Sequence, residues 1–563
     1  MLYFRSIRAS RPAAHLLGKR CLMTASGRGR ATTTPNHSSH AARRVMGLSS
    51  HLRSTDLPNS GGVATMATSS SSSGQVEVRH QKMQSVRLFL LNRPKSLNVL
   101  NRSMVNNIVP QLQVWEESNL CKVIVLTSVE GRAFCAGGDV KALITGALSG
   151  KPEDLAEALK FFEEEYQLNH LIGTLKKPFI SIMNGITMGG GVGLSVHAPF
   201  RIATENTLFA MPETGIGLFP DVGGSFFLPR LDGELGTFLG LTGWRLKGEE
   251  VFQAGIATHF IPSARLPSLM SRLAELETDE LDVINGILEE FVGDIEPSKW
   301  NTWSLGGQIG NAIDRCFKFN TIEEIISALE NENTPWAGEV LEELKKMSPT
   351  SLKVTLQQLR NGRKLDLASC FRMEYNMARE FLDTPDFYEG VRAKLIDKPP
   401  RTPKWQPPWE EMSQLSPSIV QRYFTPAAPS PRSVPKNSRI PSEKLRFLTS
   451  LTYHDYPHRT LSGLPSVHDI YRVVIGEGRR GQSLAAPQTK EEVVEWLEQN
   501  WGAYDSGVIG SERQMLPQIV TIEGGFGRGK AGLREKVLSV LDRYVEEVSK
   551  PGVQKRLEWK GPK

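Results

Sequence analysis

The chain has 563 residues, with 67 Lys plus Arg against 61 Asp plus Glu, 39% hydrophobic residues and 50 glycines. At roughly 100–200 residues per domain this is two or three folded units with ample apolar material for a core, which excludes a short binding peptide and a wholly disordered chain. Five cysteines (Cys21, Cys121, Cys135, Cys316, Cys370), odd in number and never spaced Cys-x-x-Cys, exclude a disulfide scaffold and a zinc ribbon, and no continuously apolar run approaches the ~20 residues of a membrane span.

The net charge of +6 is unevenly distributed. Residues 1–74 hold 10 basic and 1 acidic side chain, residues 75–400 hold 33 and 42, and residues 401–563 hold 24 and 18. The opening MLYFRSIRASRPAAHLLGKR spaces Arg5, Arg8, Arg11, Lys19 and Arg20 among apolar residues with no acid before Asp56. That pattern reads as a mitochondrial presequence over 1–24, and the Ser/Thr/Gly/Arg-rich stretch 25–74 reads as a disordered leader.

Folded structure is expected from about Gln75. VRLFLL (86–91), CKVIVLTS (121–128) and PFISIMNG (178–185) read as strands, and FRIATENTLFAMPE (200–213) contains another. Ser103–Glu117, interrupted by Pro110, and Asp154–Leu175 carry helical periodicity. Strands alternating with helices predict an α/β core over 75–275. Residues 276–400 read as a helical segment that completes it. A Pro-rich linker (401–441) and a basic, α-rich extension (442–563) follow, with helices at KEEVVEWLEQNW and LREKVLSVLDRYVEEV.

Four segments carry chemistry: GRAFCAGGD (131–139), FFEEEYQLN (161–169), NGITMGGGVGLS (184–195) and MPETGIGLFPDVGG (211–224). Two are glycine-rich strand exits whose bare N–H groups can approach a ligand; two carry carboxylates among apolar neighbours. Backbone amides aimed at a carbonyl stabilise the charge that develops on its oxygen, and paired carboxylates supply acid and base. Three other features read blandly. Cys135 is a small buried residue with no histidine nearby in sequence. GLSVH (193–197) misses the last glycine of a serine nucleophile elbow. GGFGRGKA (524–531) has Ala531 where a P-loop holds Ser or Thr, with too little chain after it for a nucleotide-binding sheet.

FCAGGD followed by NGITMGGG resembles the crotonase (enoyl-CoA hydratase/isomerase) superfamily. The resemblance implies a crotonase-like α/β spiral of ββα units, with an oxyanion hole formed by the amides of Ala136 and Gly190. Hydratases of the family carry a Glu three residues beyond the middle glycine, and here that position is Gly193. Glu213 in MPET matches the family's second Glu, and Asp221 is a further carboxylate in LFPDVGG. With KMSPTSLKVTLQQL and DFYEGVRAKLIDK these changes resemble the 3-hydroxyisobutyryl-CoA hydrolase subfamily over roughly residues 80–405, including a fungal form linked to the small subunit of the mitochondrial ribosome.

The resemblance assigns Glu213 as nucleophile or general base and Asp221 as the group that positions water or handles its proton. Glu165, Gly190, Glu213 and Asp221 would contact the substrate, with Glu165 at its 3-hydroxyl. It implies an acyl-CoA substrate, no metal, and no cofactor beyond the CoA of the substrate. A matrix location follows, as does a ribosomal partner, RNA or protein, bound through 401–563 (Arg479, Arg480, Lys530, Lys555 and Arg556 facing phosphates); an oligomer is left open.

Overall fold

Apolar runs too short for helices, rich in Val, Ile and Phe, build two sheets. In the computed structural model, which describes residues 76–147, 152–425, 445–477, 486–501, 529–548 and 556–561, the larger sheet has the order β1-β2-β3-β5-β7-β10. Its strands are β1 (Val78–Met83), β2 (Val86–Leu91), β3 (Val123–Ser128), β5 (Phe179–Met183), β7 (Phe200–Ala203) and β10 (His259–Phe260). β1 and β2 form an antiparallel hairpin and the remaining pairs are parallel. The smaller sheet runs β4 (Ala133–Cys135), β6 (Ile186–Met188), β8 (Leu208–Ala210) and β9 (Leu246–Lys247). Consecutive strands β3/β4, β5/β6 and β7/β8 therefore divide between the two sheets, which is the expected ββα spiral. FRIATENTLFAMPE supplies two strands, β7 and β8, because the Glu205–Asn206 turn hands the chain from one sheet to the other.

Helices cover the sheets. α1 (Arg102–Glu116) starts at Asn101, whose side chain accepts from the Met104 amide. It runs unbroken through Pro110, which lies on the exposed side where water can serve the carbonyl that loses its donor. α2 (Pro152–Thr174) is buried on nearly all sides from Phe161 onward. The short α3 (Gly190–Gly193) and α4 (Gly224–Phe227) follow β6 and the 211–223 loop. Beyond them lie α5 (Leu281–Glu290), α6 (Pro349–Gly362) and α7 (Leu367–Leu382), the last two capped by Ser348 and Asp366.

The extension contributes α8 (Val467–Val474), opened by a Ser466/Asp469 capping box, α9 (Lys490–Asn500) and α10 (Leu533–Tyr544). LREKVLSVLDRYVEEV is not one helix. It stops at Tyr544, and β11 (Val545–Val548) pairs antiparallel with β12 (Arg556–Trp559). Val473, Leu497, Trp501, Val537 and Leu541 join the same apolar core as the sheets and helices of the first 400 residues. Ion pairs close the seam: Lys536 with Asp232 (2.8 Å), Arg543 with Asp314 (2.9 Å) and Lys530 with Glu289 of α5 (2.6 Å). The compositional boundary near residue 400 is thus not a boundary in packing. Among the described residues no helix is long and apolar enough to cross a membrane. The leader segments 1–24 and 25–74, Arg479, Arg480, Lys555 and residues 426–441 of the Pro-rich stretch lie outside the described residues.

Candidate active site

β4 and β6 are parallel neighbours, so the two glycine-rich strand exits emerge side by side. A Cβ at Gly190 would lie 3.1 Å from the Gly138 amide nitrogen and 2.5 Å from Oε1 of Glu165. Only a glycine lets these three groups meet. Among the described residues neither the Gly138 nor the Gly190 N–H has an acceptor. The Ala136 amide, by contrast, donates to the Leu97 carbonyl at 3.1 Å. The sequence assignment of Ala136 is therefore corrected: its N–H is spent on the fold, and Gly138, two residues on, presents the amide that pairs with Gly190.

The three predicted carboxylates converge on this turn. Glu165 comes from α2, Glu213 opens the single helical turn Glu213–Ile216 after β8, and Asp221 precedes α4; all three are buried. Oε1 of Glu213 would stand 2.9 Å from a Cβ at Gly189, the residue before the glycine that faces Glu165. Burial raises the Glu213 carboxyl well above the ordinary range, helped by the charge of Asp221. Glu165 is raised by burial and then by Asp221 and Glu213. Asp221 is pushed up to about 7 by burial, partly offset by a 2.9 Å hydrogen bond from the Tyr166 hydroxyl. Like charges this close resist joint ionisation, so the cluster holds protons at neutral pH and can divide acid and base roles. Buried Oε1 of Glu165 and Oε2 of Glu213 have no partner among the described residues.

Position 193 has no space for a carboxylate. A Cβ there would lie 2.7 Å from both Oδ1 of Asn169 and Cβ of Val222. Asn169, four residues after Glu165 on the same face of α2, is fully buried with its amide group unpartnered among the described residues.

Sequence reading missed Gly138, Tyr166, Asn169 and Glu374. An acidic run such as Glu163–Glu165 on an amphipathic helix ordinarily faces solvent, but from Phe161 onward α2 is packed against protein on nearly all sides. Burial of the Phe161-to-Ile172 side chains other than Glu163, Glu164 and Gln167 was signalled only by the aromatic density of FFEEEY. Glu374 of α7 lies 150 residues from the loop that it clamps, accepting from the Gly223 and Ser225 amides at 2.8 Å each.

The bland readings of Cys135 and of GLSVH agree with the geometry, while residues 524–528 of GGFGRGKA lie outside the described residues. Cys135 is fully buried, contacts the Gly137 carbonyl at 3.5 Å and is pushed up to about 12 by burial. Ser195 donates to the Gly191 and Val192 carbonyls, while His197 bonds to Val222 and Tyr456, so they form no nucleophile pair. Lys530 is also corrected. Its ammonium is buried against Glu289 and the Thr258 carbonyl (2.8 Å), so it cannot face a phosphate backbone. Arg556 is exposed on β12.

Comparison with known proteins places this geometry in a family. Residues 86–424 match the model described as enoyl-CoA hydratase/isomerase. A small ribosomal subunit protein mS47 of Neurospora crassa is 41% identical over 86% of this chain and 88% of its own length. A mitochondrial 3-hydroxyisobutyryl-CoA hydrolase of Danio rerio is 44% identical over 63% of this chain and 91% of its own. Among solved structures, a carnitinyl-CoA dehydratase from Mycobacterium thermoresistibile superposes with a TM-score of 0.57 and 35% identity, covering 63% of this chain and 98% of that one. Motifs, two-sheet spiral and matched span agree, and the chain belongs to the enoyl-CoA hydratase/isomerase (crotonase) family.

Proposed function

We propose that the protein hydrolyses the thioester of 3-hydroxyisobutyryl-CoA, releasing 3-hydroxyisobutyrate and CoA. The observation that carries this reading is the acid arrangement: Glu165, Glu213 and Asp221 around the Gly189–Gly190 turn, and Asn169 and Val222 filling the place of the hydratase Glu at Gly193. The thioester carbonyl oxygen sits on the Gly138 and Gly190 amides. Glu213 attacks the carbonyl carbon, or removes a proton from water that does; the oxyanion charge rests on the two N–H groups, and collapse of the tetrahedral intermediate breaks the C–S bond and releases CoA as the thiolate, water then cleaving the acyl–Glu213 anhydride in the first route. Asp221, held by Tyr166, orients the water or takes its proton. Glu165 accepts from the 3-hydroxyl, which selects 3-hydroxyacyl chains, 3-hydroxypropionyl-CoA among them. No metal is used, and the only cofactor is the CoA of the substrate. The test is thiol release from 3-hydroxyisobutyryl-CoA by the purified full chain; absence of free CoA sinks the reading.

A second role rests on a different observation. A match covering 86% of this chain has to run past residue 424 into the extension, whereas the hydrolase match covers 63%. The relative whose match reaches the extension is named a small ribosomal subunit protein and the hydrolase relative is named mitochondrial, so we infer a location in the mitochondrial matrix and association with the small ribosomal subunit. Most basic residues described in the extension are spent internally: Arg459 on Asp469, Lys490 on Asp542, Arg534 on Glu491, Lys536 on Asp232, and Arg543 on Asp314. A protein surface of the subunit therefore fits the described part better than RNA phosphates do. Sedimentation of mitochondrial extract at low and high salt, with thioesterase activity followed across the gradient, tests both roles together.

A further inference from the structure

We propose that residues 445–457 of the extension form a strap that positions the catalytic loop, with Tyr456 acting through His197 on the Asp221–Val222–Gly223 turn. The inference rests on the hydrolase reading of Asp221.

The chemistry of the link is directional. His197 is buried, its Nε2 lies 2.8 Å from the Val222 carbonyl oxygen and its Nδ1 lies 2.9 Å from the Tyr456 hydroxyl. A carbonyl only accepts, so Nε2 carries the proton. Burial holds the imidazole down to about 4, so it is neutral at physiological pH and Nδ1 keeps its lone pair. Tyr456 must then donate to Nδ1. The strap thus fixes the tautomer of the histidine that grips the loop.

The loop needs gripping. Val222, β-branched, sits at φ +50°, a region such side chains avoid, and Gly223 follows at +88°. His197 holds the Val222 carbonyl from one side. Glu374 holds the Gly223 and Ser225 amides from the other. Strain of this kind persists only where surrounding groups over-determine it, and here it lies next to Asp221. Phe371, 5.4 Å from the imidazole, and Arg201, whose guanidinium stands 5.9 Å from the Tyr456 ring, complete the walls.

The strap itself is tied down along its length. Phe447 stacks on His170 at 4.0 Å, Thr449 donates to Thr174 at 3.1 Å, and the Tyr453 hydroxyl donates to the Gly173 carbonyl. The Leu367 amide donates to the Tyr453 carbonyl at 3.0 Å, and Arg230 grips the His454 carbonyl. Tyr456 packs edge-on against Phe226 of α4 at 5.0 Å. Every tie lands on α2, α4 or α7, or within a few residues of one, and these helices carry Glu165, follow Asp221 and carry Glu374 respectively. The family match ends at residue 424, so the positioning device lies outside the portion held in common with the matched family model.

The test uses the full chain. Tyr456→Phe removes only the donor and is expected to lower kcat about tenfold with KM changed less than twofold, and to move the acid limb of the kcat/KM profile. His197→Gln, which can donate to Val222 and accept from Tyr456, should retain more activity than His197→Ala. A Tyr456→Phe protein with wild-type kcat and pH profile but a lower Tm would overturn the proposal, reducing the strap to a brace. Should that variant fold poorly, ¹⁵N-histidine spectra of the unmodified chain decide: a neutral Nε2–H tautomer for His197 down to about pH 5 is expected, and an Nδ1–H tautomer overturns it. The spectra are independent of turnover. A chain that shows the expected tautomer but hydrolyses no acyl-CoA would refute the hydrolase reading and leave the His197–Tyr456 link standing.

Discussion

The Tyr166 hydroxyl donates to Oδ2 of Asp221 over 2.9 Å, tying the buried helix α2 to the loop that carries the third carboxylate. This bond favours the ionised form of Asp221 against the burial that raises it to about 7. Tyr166→Phe should therefore raise the carboxyl further and move the acid limb of the kcat/KM profile to higher pH. Hydrogen bonds to charged groups are worth about 1.5–3 kcal/mol, so a loss of roughly ten- to hundredfold at pH 7 is expected, recovering partly toward pH 8.5. An unchanged profile would separate Tyr166 from Asp221.

Glu213→Gln keeps the volume of a side chain buried beside Gly189 and removes its charge. The fold should survive, and Tm should rise slightly because one of three crowded carboxyls is gone. Turnover should fall by ~10²–10⁴, the range that positioned proton-transfer groups supply. Hydrolysis at the wild-type rate by a folded Gln variant would remove Glu213 from the mechanism.

Gly193→Glu tests why the chain is not read as a hydratase. The new Cβ would meet Asn169 and Val222 at 2.7 Å, and the rest of the side chain has only the space that Asn169 fills. Overpacking of a tight core costs about 1–3 kcal/mol, so a lower Tm, weaker thioester hydrolysis and no more than trace hydration of an enoyl-CoA are expected. Efficient hydration would show that the pocket adapts to a single carboxylate.

The strands, the two glycine-rich exits and the carboxylates Glu165, Glu213 and Asp221 were legible because each is a local signal: an apolar run, a glycine cluster, an acid among hydrophobes. Gly138 was not, since choosing between amides two residues apart requires knowing which one the fold consumes, and Leu97 decides that. Glu374 and Tyr456 were hidden by distance, as each acts on the 221–225 loop from more than 100 residues away. The seam between core and extension was hidden by composition: proline and charge mark a change of segment, whereas Trp501 and Leu541 show their partners only in three dimensions.

Stability should fall as pH rises from about 6.5 to 8. Burial pushes Glu374 up to about 8 and Asp221 up to about 7, and raises Glu165 and Glu213. Unfolded, all four ionise near pH 4. In this window the folded chain binds protons that the unfolded chain has released, so each retained proton costs about 1.4 kcal/mol per pH unit. His170, His197 and His259, held down near 4 by burial, act in the opposite direction. Their contribution is present above the unfolded value of about 6.5 and is lost only as pH falls below it. Below about pH 6.5 the three histidines offset most of the effect of the four carboxyls, so the Tm should decline only gently there and more steeply from 6.5 toward 8, with Glu374→Gln flattening the decline. A Tm that climbs through this window would contradict the assigned protonation.

Cutting the chain after Lys404 separates catalysis from assembly only if the extension is a separate body, and the packing argues that it is not. The cut removes Trp501, Val473, Val537 and Leu541 from the shared core, strips the partners Lys536 from Asp232 and Lys530 from Glu289, and takes away the Tyr456 that holds His197. Loss of several buried large side chains at about 2–5 kcal/mol each exceeds the usual margin of a folded domain. The truncated chain should express as insoluble or aggregating protein, visible as loss of a cooperative melt, and not as a soluble hydrolase freed of its tail. A soluble truncated chain with full thioester hydrolysis would show that the extension merely rests on the core, and would at the same time remove the strap from the catalytic loop's account.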